Sequence, residues 1–265
     1  MSVSIHPSAH VDSKAQLDAG VEIGPLCVVG PNVKLEKNVK LIGHVNLAGD
    51  TTIGADCRLY PFVSMGHPPQ DFKHKGGPVS IKIGERNQFR ENVNIHPGTD
   101  AGKPDTIIGD DCYFMVNSHL AHEGYVGNNV VVSNGAQIGG CVTIGDNAIL
   151  GGLCAIHQFT RIGQHAFIGG MATVTTDVIP YGSVVGNPAH LAGLNVIGLK
   201  RRGFDRDTIH DLRAAYRLMF AQEGTFSERI QDATDIYNNN ALAMDIVAFI
   251  NGRDKRSICL PPNGR

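Results

Sequence analysis

Residues 138–156 read IGGCVTIGDNAILGGLCAI, and every sixth position (Ile138, Ile144, Leu150, Ile156) is aliphatic. A helix repeats near 3.6 residues and a simple strand at 2, so a sustained period of six fits neither as a long element. It fits short strands joined by tight turns. Three such hexapeptides make one coil of 18 residues in a parallel β-helix. The aliphatic residue points into the prism, and a small residue four positions later fits where the chain bends. Ala136, Val142, Ala148 and Cys154 occupy that second position here.

Working outward, the same clock runs back through Val132, Val126, Leu120, Phe114 and Ile108 and forward through Ile162, Ile168 and Val174. Nearer the N-terminus it holds from Ile5 to Met65. The polar stretch 66–78 interrupts it, and it resumes in phase at Ile83, Phe89 and Ile95. A second interruption near Asp100–Asp105 shifts the phase by one. The stretch 66–78 is too rich in Pro, Gly and charge to continue a prism and is expected to project as a loop, a common place for binding residues on repeat scaffolds. Cys27, Cys57, Cys112 and Cys154 all fall on the small corner position, where a cysteine behaves as a small buried apolar group. Cys141 and Cys259 lie off it.

Composition agrees. Glycine accounts for 32 of 265 residues, tryptophan is absent and aromatics are 6%, as a core of small and aliphatic side chains requires. A net charge of −2 gives no global electrostatic case for nucleic acid or an anionic membrane. No apolar run approaches the roughly 20 residues of a membrane helix. The six cysteines contain no CxxC pair, which argues against a zinc ribbon or a disulfide framework. Without a secretory leader pattern at the N-terminus, a cytoplasmic location is expected.

Past Pro188 the pattern changes. Asp205 is placed to cap a helix over 206–222 that stops at Gly224, with further helices over 227–237 and 241–250. The chain therefore reads as mainly β: a β-helix over 1–188, then a small α-helical C-terminal region over 189–265.

Several segments are more specific than the clock. They are Gly66-His-Pro-Pro-Gln-Asp-Phe-Lys73, Ile95-His-Pro-Gly-Thr99, Asn117-Ser-His-Leu-Ala-His122, Ile156-His-Gln-Phe159 and Asn195-Val-Ile-Gly-Leu-Lys-Arg-Arg-Gly-Phe204. Together they resemble the UDP-N-acetylglucosamine O-acyltransferases of lipid A biosynthesis, over nearly the whole chain. That resemblance implies a left-handed β-helix, a homotrimer and no cofactor or metal. It implies transfer of a (R)-3-hydroxyacyl chain from acyl carrier protein to the 3-position of UDP-N-acetylglucosamine.

Such a transfer needs a base for the sugar hydroxyl, a donor for the thioester oxyanion and a groove for the chain. By resemblance His122 is the base, and imidazole suits the task because its ordinary pKa lies near neutrality. Steps of 18 stack His122, Gly140 and Gln158 in one column. Gly140, bare of a side chain, lets its N–H approach a ligand, and the resemblance makes it the oxyanion donor. Glu123, or a backbone group, is expected to orient the ring. Gln70, Asp71, Lys73, His119, His157, Gln158, Asn195, Arg201 and Arg202 are the expected substrate contacts, the two arginines on phosphate. Lys200, Arg206, Arg213 and Arg217 offer a docking face for an acidic carrier protein. Gly152 and Gly170, also 18 apart, leave room for an acyl chain; by resemblance the residue at 170 helps set chain length, and glycine there implies a long one. Cys141 stands where the family often has histidine.

Three other readings compete. The sister N-acyltransferase of the same pathway normally carries an additional N-terminal domain, whereas here the clock begins at Ile5. A histidine-metal β-helix enzyme would use His96, His119 and His122, but its paired ligands are spaced five apart, not three. A non-catalytic scaffold has no need for the His122–Gly140–Gln158 column.

Overall fold

The computed structural model describes residues 2–252 and 256–262. Two-residue strands, from Ser4–Ile5 to Thr173–Val174, dominate it. They stack into three sheets of 11, 9 and 8 strands. The chain visits first face, second face and third face in rotation, so each circuit is one coil of a prism. Register confirms the 18-residue coil: Tyr113 lies beside Val131, Val131 beside Ile149 and Ile149 beside Phe167, all parallel.

The aliphatic clock fills the prism. Leu35, Leu41, Leu47, Ile53 and Leu59 are buried, as are Leu120, Ile138, Ile144 and Leu150. Cys27, Cys57, Cys112 and Cys154 sit inside with them. Ile5 occupies an inward position yet is 45% exposed, because no coil lies beneath the first one to cover it.

Most corners share one backbone conformation. The residue three past the inward aliphatic one turns the chain with a left-handed φ near +60°, as at Leu26, Asn38, Asp56, Glu123, Cys141 and Phe159. A non-glycine residue pays about 1–2 kcal/mol for that conformation. Stacking offsets this, since the corner N–H groups of Asn38, Asp56, Cys141 and Phe159 each reach a carbonyl of the neighbouring coil, and that of Leu26 reaches the Ser8 hydroxyl. The Cys141 N–H donates to the His122 carbonyl at 2.9 Å and the Phe159 N–H to the Gly140 carbonyl at 2.9 Å.

Two insertions leave the prism at the same corner, between the second and third faces. Across the first, Ser64 pairs with Asn94, a step of 30 residues. Across the second, Asn94 pairs with His119, a step of 25. Residues 66–79 carry no regular secondary structure.

At the C-terminal end Gly182–Val185 continues the first face, and His190–Leu194 folds back antiparallel against it. Four helices follow: α1 (Val196–Arg201), α2 (Arg206–Met219), α3 (Phe226–Tyr237) and α4 (Ala241–Asn251). Asp205 caps α2 as expected, although the helix stops three residues short of 222. Helix α3 starts one residue earlier than the pattern suggested, because Thr225 and Glu228 close a reciprocal capping box. The short α1 was not foreseen; Asn195 caps it, and six residues are too few to show a helical period. Arg161 ties α4 to the prism. It pairs with buried Asp177 at 2.7 Å, donates to the Gly252 and Phe249 carbonyls, and lies over the Phe249 ring.

Candidate active site

His122 sits at the corner from which both insertions depart, two residues beyond inward-pointing Leu120. It is 7% exposed. Its Nδ1 lies 3.2 Å from Glu123 Oε1, and its Nε2 lies 3.9 Å from Asp71 Oδ2 in the first insertion. The Glu123 carboxylate is itself held. Thr99 Oγ1 donates to Oε1 at 2.6 Å and the Lys103 N–H donates to Oε2 at 2.8 Å, both from the second insertion. Burial works to raise the Glu123 pKa. Hydrogen bonds from Lys103, Thr99, Cys141 and His122 outweigh it and hold the carboxyl below its usual value. A carboxylate only accepts, so at the contact with Glu123 it is Nδ1–H that donates.

Gly140 lies one coil away against the ring. A Cβ built on it falls 2.5 Å from His122 Cε1 and 2.6 Å from Nε2, so only glycine leaves the imidazole where it is. Its N–H has no acceptor among the described residues. At the next corner round, the equivalent N–H groups of Asp110 and Asn128 are capped by the side chains of Asn128 and Asp146 one coil further on. The Gly140 N–H differs from these in having no such side-chain cap among the described residues. Gln158 completes the column, and its carbonyl accepts from Arg256 at 2.7 Å and from the His157 ring at 2.9 Å. Arg256 was not singled out in the sequence.

His119 packs beside the corner. Its Nδ1 lies 2.9 Å from Asn94 Oδ1, and its ring stands edge-on to His96 at 5.2 Å. Burial lowers the pKa of both histidines. That of His96 falls to about 4, with the nearby charges of His119, His122 and His67 adding to the effect. The trio His96, His119 and His122 does not form a ligand set. Among the described residues the group able to hold a cation together is His122, Glu123 and Cys141. Burial, then the Glu123 charge, push the Cys141 thiol up to about 11.

The first insertion is pinned by the second. Asp100 accepts from the Lys75 and Gly77 N–H groups and pairs with His74 at 3.0 Å. Gln70 and Lys73 are exposed, and the Lys73 N–H donates to Asp71 Oδ1 at 2.8 Å. Phe72, at the tip, is 102% exposed.

Other expected site residues occupy different corners. Gly152 and Gly170 lie between the first and second faces, where a Cβ on Gly152 meets nothing nearer than 3.5 Å. Leu153 and Met171 beside them are 67% and 71% exposed. Asn195 and Arg202 lie between the third and first faces. The Asn195 side chain accepts from the Gly198 N–H and donates to the His165 carbonyl, and Arg202 grips Asn147. Arg201 is exposed on α1. Within one chain the structure joins Asp71, His122, Glu123, Gly140 and Gln158 at one corner. It does not join them to Asn195, Arg202, Gly152 or Gly170. The sequence reading gave no role to Lys103 or Asp100 and caught Thr99 only as the end of a family-like segment, although the phase shift at 100–105 marked an insertion there.

Known proteins resemble this chain along most of its length. A family profile described as UDP-N-acetylglucosamine O-acyltransferase, domain 2, matches residues 177–259. An acyl-[acyl-carrier-protein]–UDP-N-acetylglucosamine O-acyltransferase from Bartonella henselae is 44% identical over 97% of this chain and 94% of its own. One of the same name from Caulobacter vibrioides is 54% identical over 79% of this chain and 80% of its own. Among solved structures, the Francisella novicida UDP-N-acetylglucosamine acyltransferase superposes with a TM-score of 0.94 at 32% identity, covering 98% of this chain and 95% of that one. The Moraxella catarrhalis O-acyltransferase gives 0.93 at 36%, covering 96% and 99%. The class is therefore that of acyltransferases built on a left-handed parallel β-helix of hexapeptide repeats. Within it, this chain belongs to the UDP-N-acetylglucosamine O-acyltransferase family.

Proposed function

We propose that the protein transfers a (R)-3-hydroxyacyl chain from acyl carrier protein to the 3-hydroxyl of UDP-N-acetylglucosamine, the first step of lipid A biosynthesis. One observation carries the mechanism: a buried His122 whose Nδ1 is fixed by Glu123 while its ring lies on a side-chain-free Gly140. His122 Nε2 takes the sugar hydroxyl proton as the oxygen attacks the thioester carbon. The oxyanion forms beside the Gly140 N–H. Collapse expels the carrier thiolate, which takes the proton back from the imidazolium. Glu123 holds the tautomer and steadies the transient positive charge.

Asp71, 3.9 Å from Nε2, is suited to hold a sugar hydroxyl next to the base, with Gln70, Lys73, His119, His157 and Gln158 around it. Arg201 and Arg202 would meet phosphate, and Asn195 supports them by capping α1. The Gly152–Gly170 corner, rimmed by Leu153 and Met171, suits a long acyl chain. These groups stand at three different corners of one prism, so we infer a homotrimer in which neighbouring chains complete each site. Fully exposed Phe72 then gains a partner. Among the described residues no helix is long and apolar enough to cross a membrane, in keeping with cytoplasmic work on soluble substrates.

A mass-spectrometric assay tests this reading. UDP-N-acetylglucosamine should gain one hydroxyacyl mass from a panel of (R)-3-hydroxyacyl carrier proteins. His122→Ala should lower kcat by about 10²–10⁴-fold without loss of fold. Wild-type protein that acylates only the 3-amino sugar would change the acceptor, and a fully active His122→Ala would remove the base.

A further inference from the structure

We propose that His122, Glu123 and Cys141 form a binding site for a soft divalent cation, Zn²⁺ above all, and that its occupation stops acyl transfer. The second half rests on His122 being the base. The donor atoms of the three side chains all lie within 4.8 Å of one another. The 3.2 Å between His122 Nδ1 and Glu123 Oε1 is close to the edge of a tetrahedron with metal–ligand bonds of about 2.0–2.2 Å. One sulfur, one imidazole nitrogen and one carboxylate select zinc-like ions over magnesium or calcium. A thiolate and a carboxylate also neutralise the charge of the ion.

The site is held in advance. Thr99 and the Lys103 N–H fix Glu123 through lone pairs that leave room for a further ligand. Cys141 is placed by its left-handed corner and by its N–H bond to the His122 carbonyl. It is also the one cysteine of the six that is not buried, which gives the ion an entry and leaves the fourth position to water.

Binding reverses the tautomer. The Cys141 thiol releases its proton to solvent as the sulfur–metal bond forms. Nδ1 gives up its proton to bind the ion, and Nε2 takes one up, so one proton leaves overall. An imidazole protonated at Nε2 cannot accept the sugar hydroxyl proton. Divalent soft metal therefore inhibits by occupying the back of the base, without entering the substrate groove.

Cobalt(II) titration of the intact protein tests the site. Wild type should develop thiolate-to-cobalt absorption in the near ultraviolet and tetrahedral bands in the visible. Cys141→Ser and Cys141→Ala should both lose the sulfur band while keeping wild-type circular dichroism. In parallel, Zn²⁺ should inhibit wild type reversibly, with activity restored by chelator. Each Cys141 variant, measured against its own basal rate, should need at least about tenfold more Zn²⁺. Absence of the sulfur band, or its persistence in both variants, would overturn the site. Absorption at Cys141 without inhibition would keep the site and overturn the tautomer argument, which separates this failure from that of the transferase reading.

Discussion

At Gly140, one missing Cβ decides whether the neighbouring imidazole can lie flat. Gly140→Ala puts a methyl 2.5 Å from His122 Cε1, so the ring must turn away from both Glu123 and the substrate. The expected result is a fall in kcat of about 10²–10³-fold with KM for the nucleotide sugar little changed, as steady-state kinetics would show. The left-handed corner itself is not disturbed, because Gly140 precedes the residue that turns. His96 makes a second residue-scale prediction. Its buried ring has a folded pKa near 4 against an ordinary 6.5. Above pH 6.5 it is neutral folded and unfolded, and adds no slope. As pH falls from about 6.5 to about 4, the unfolded chain takes the proton and the folded chain refuses it. Stability should drop across that window by up to about 3 kcal/mol. Urea denaturation at a series of pH values would show the slope, and His96→Asn should flatten it.

At the scale of elements, the two insertions act as a pair. The second carries Thr99 and Lys103, which hold Glu123, and Asp100, which pins the first. Asp100 has its carboxyl held well below the usual range, chiefly by the Gly77 and Lys75 N–H groups. Asp100→Ala removes that acceptor, so the 71–77 backbone should exchange its amide hydrogens faster. With Asp71 less firmly placed, KM for the sugar should rise several-fold. Hydrogen-exchange mass spectrometry and kinetics would check both, and unchanged exchange would mean the loop is held elsewhere. The insertions were visible in the sequence as two breaks in a period. Their meeting was not, because a break says where the chain leaves the prism and nothing about where it goes.

At the scale of the whole molecule, the prism separates the groups that the proposed transfer would bring together. His122 and Asp71 stand at one corner, Arg202 at another and the Gly152–Gly170 pair at the third. If neighbouring chains complete the site, two inactive variants should rescue each other. Co-expressed His122→Ala and Arg202→Ala subunits should form mixed trimers with some intact sites, giving a measurable fraction of wild-type activity. Homotrimers of either variant should give almost none. Failure of rescue in verified mixed trimers would mean that neighbouring chains do not combine His122 and Arg202 in one site. Sedimentation of wild type checks the trimer itself.

The sequence by itself determined the prism, its 18-residue coil, the buried cysteines and the stacking of His122 with Gly140. These follow from counting: where a period is unbroken, position along the chain is position in space, and only one register turns the whole aliphatic series inward. It also marked His122, Asp71 and Glu123 through resemblance. Tertiary structure alone decided that Thr99 and Lys103 grip Glu123, that Asp71 reaches Nε2, that Asn195 serves as a helix cap, and that Cys141 faces His122 and Glu123. Those contacts depend on the path of irregular loops and on side-chain direction at corners, which no periodicity encodes and which packing fixes only once the coils are stacked.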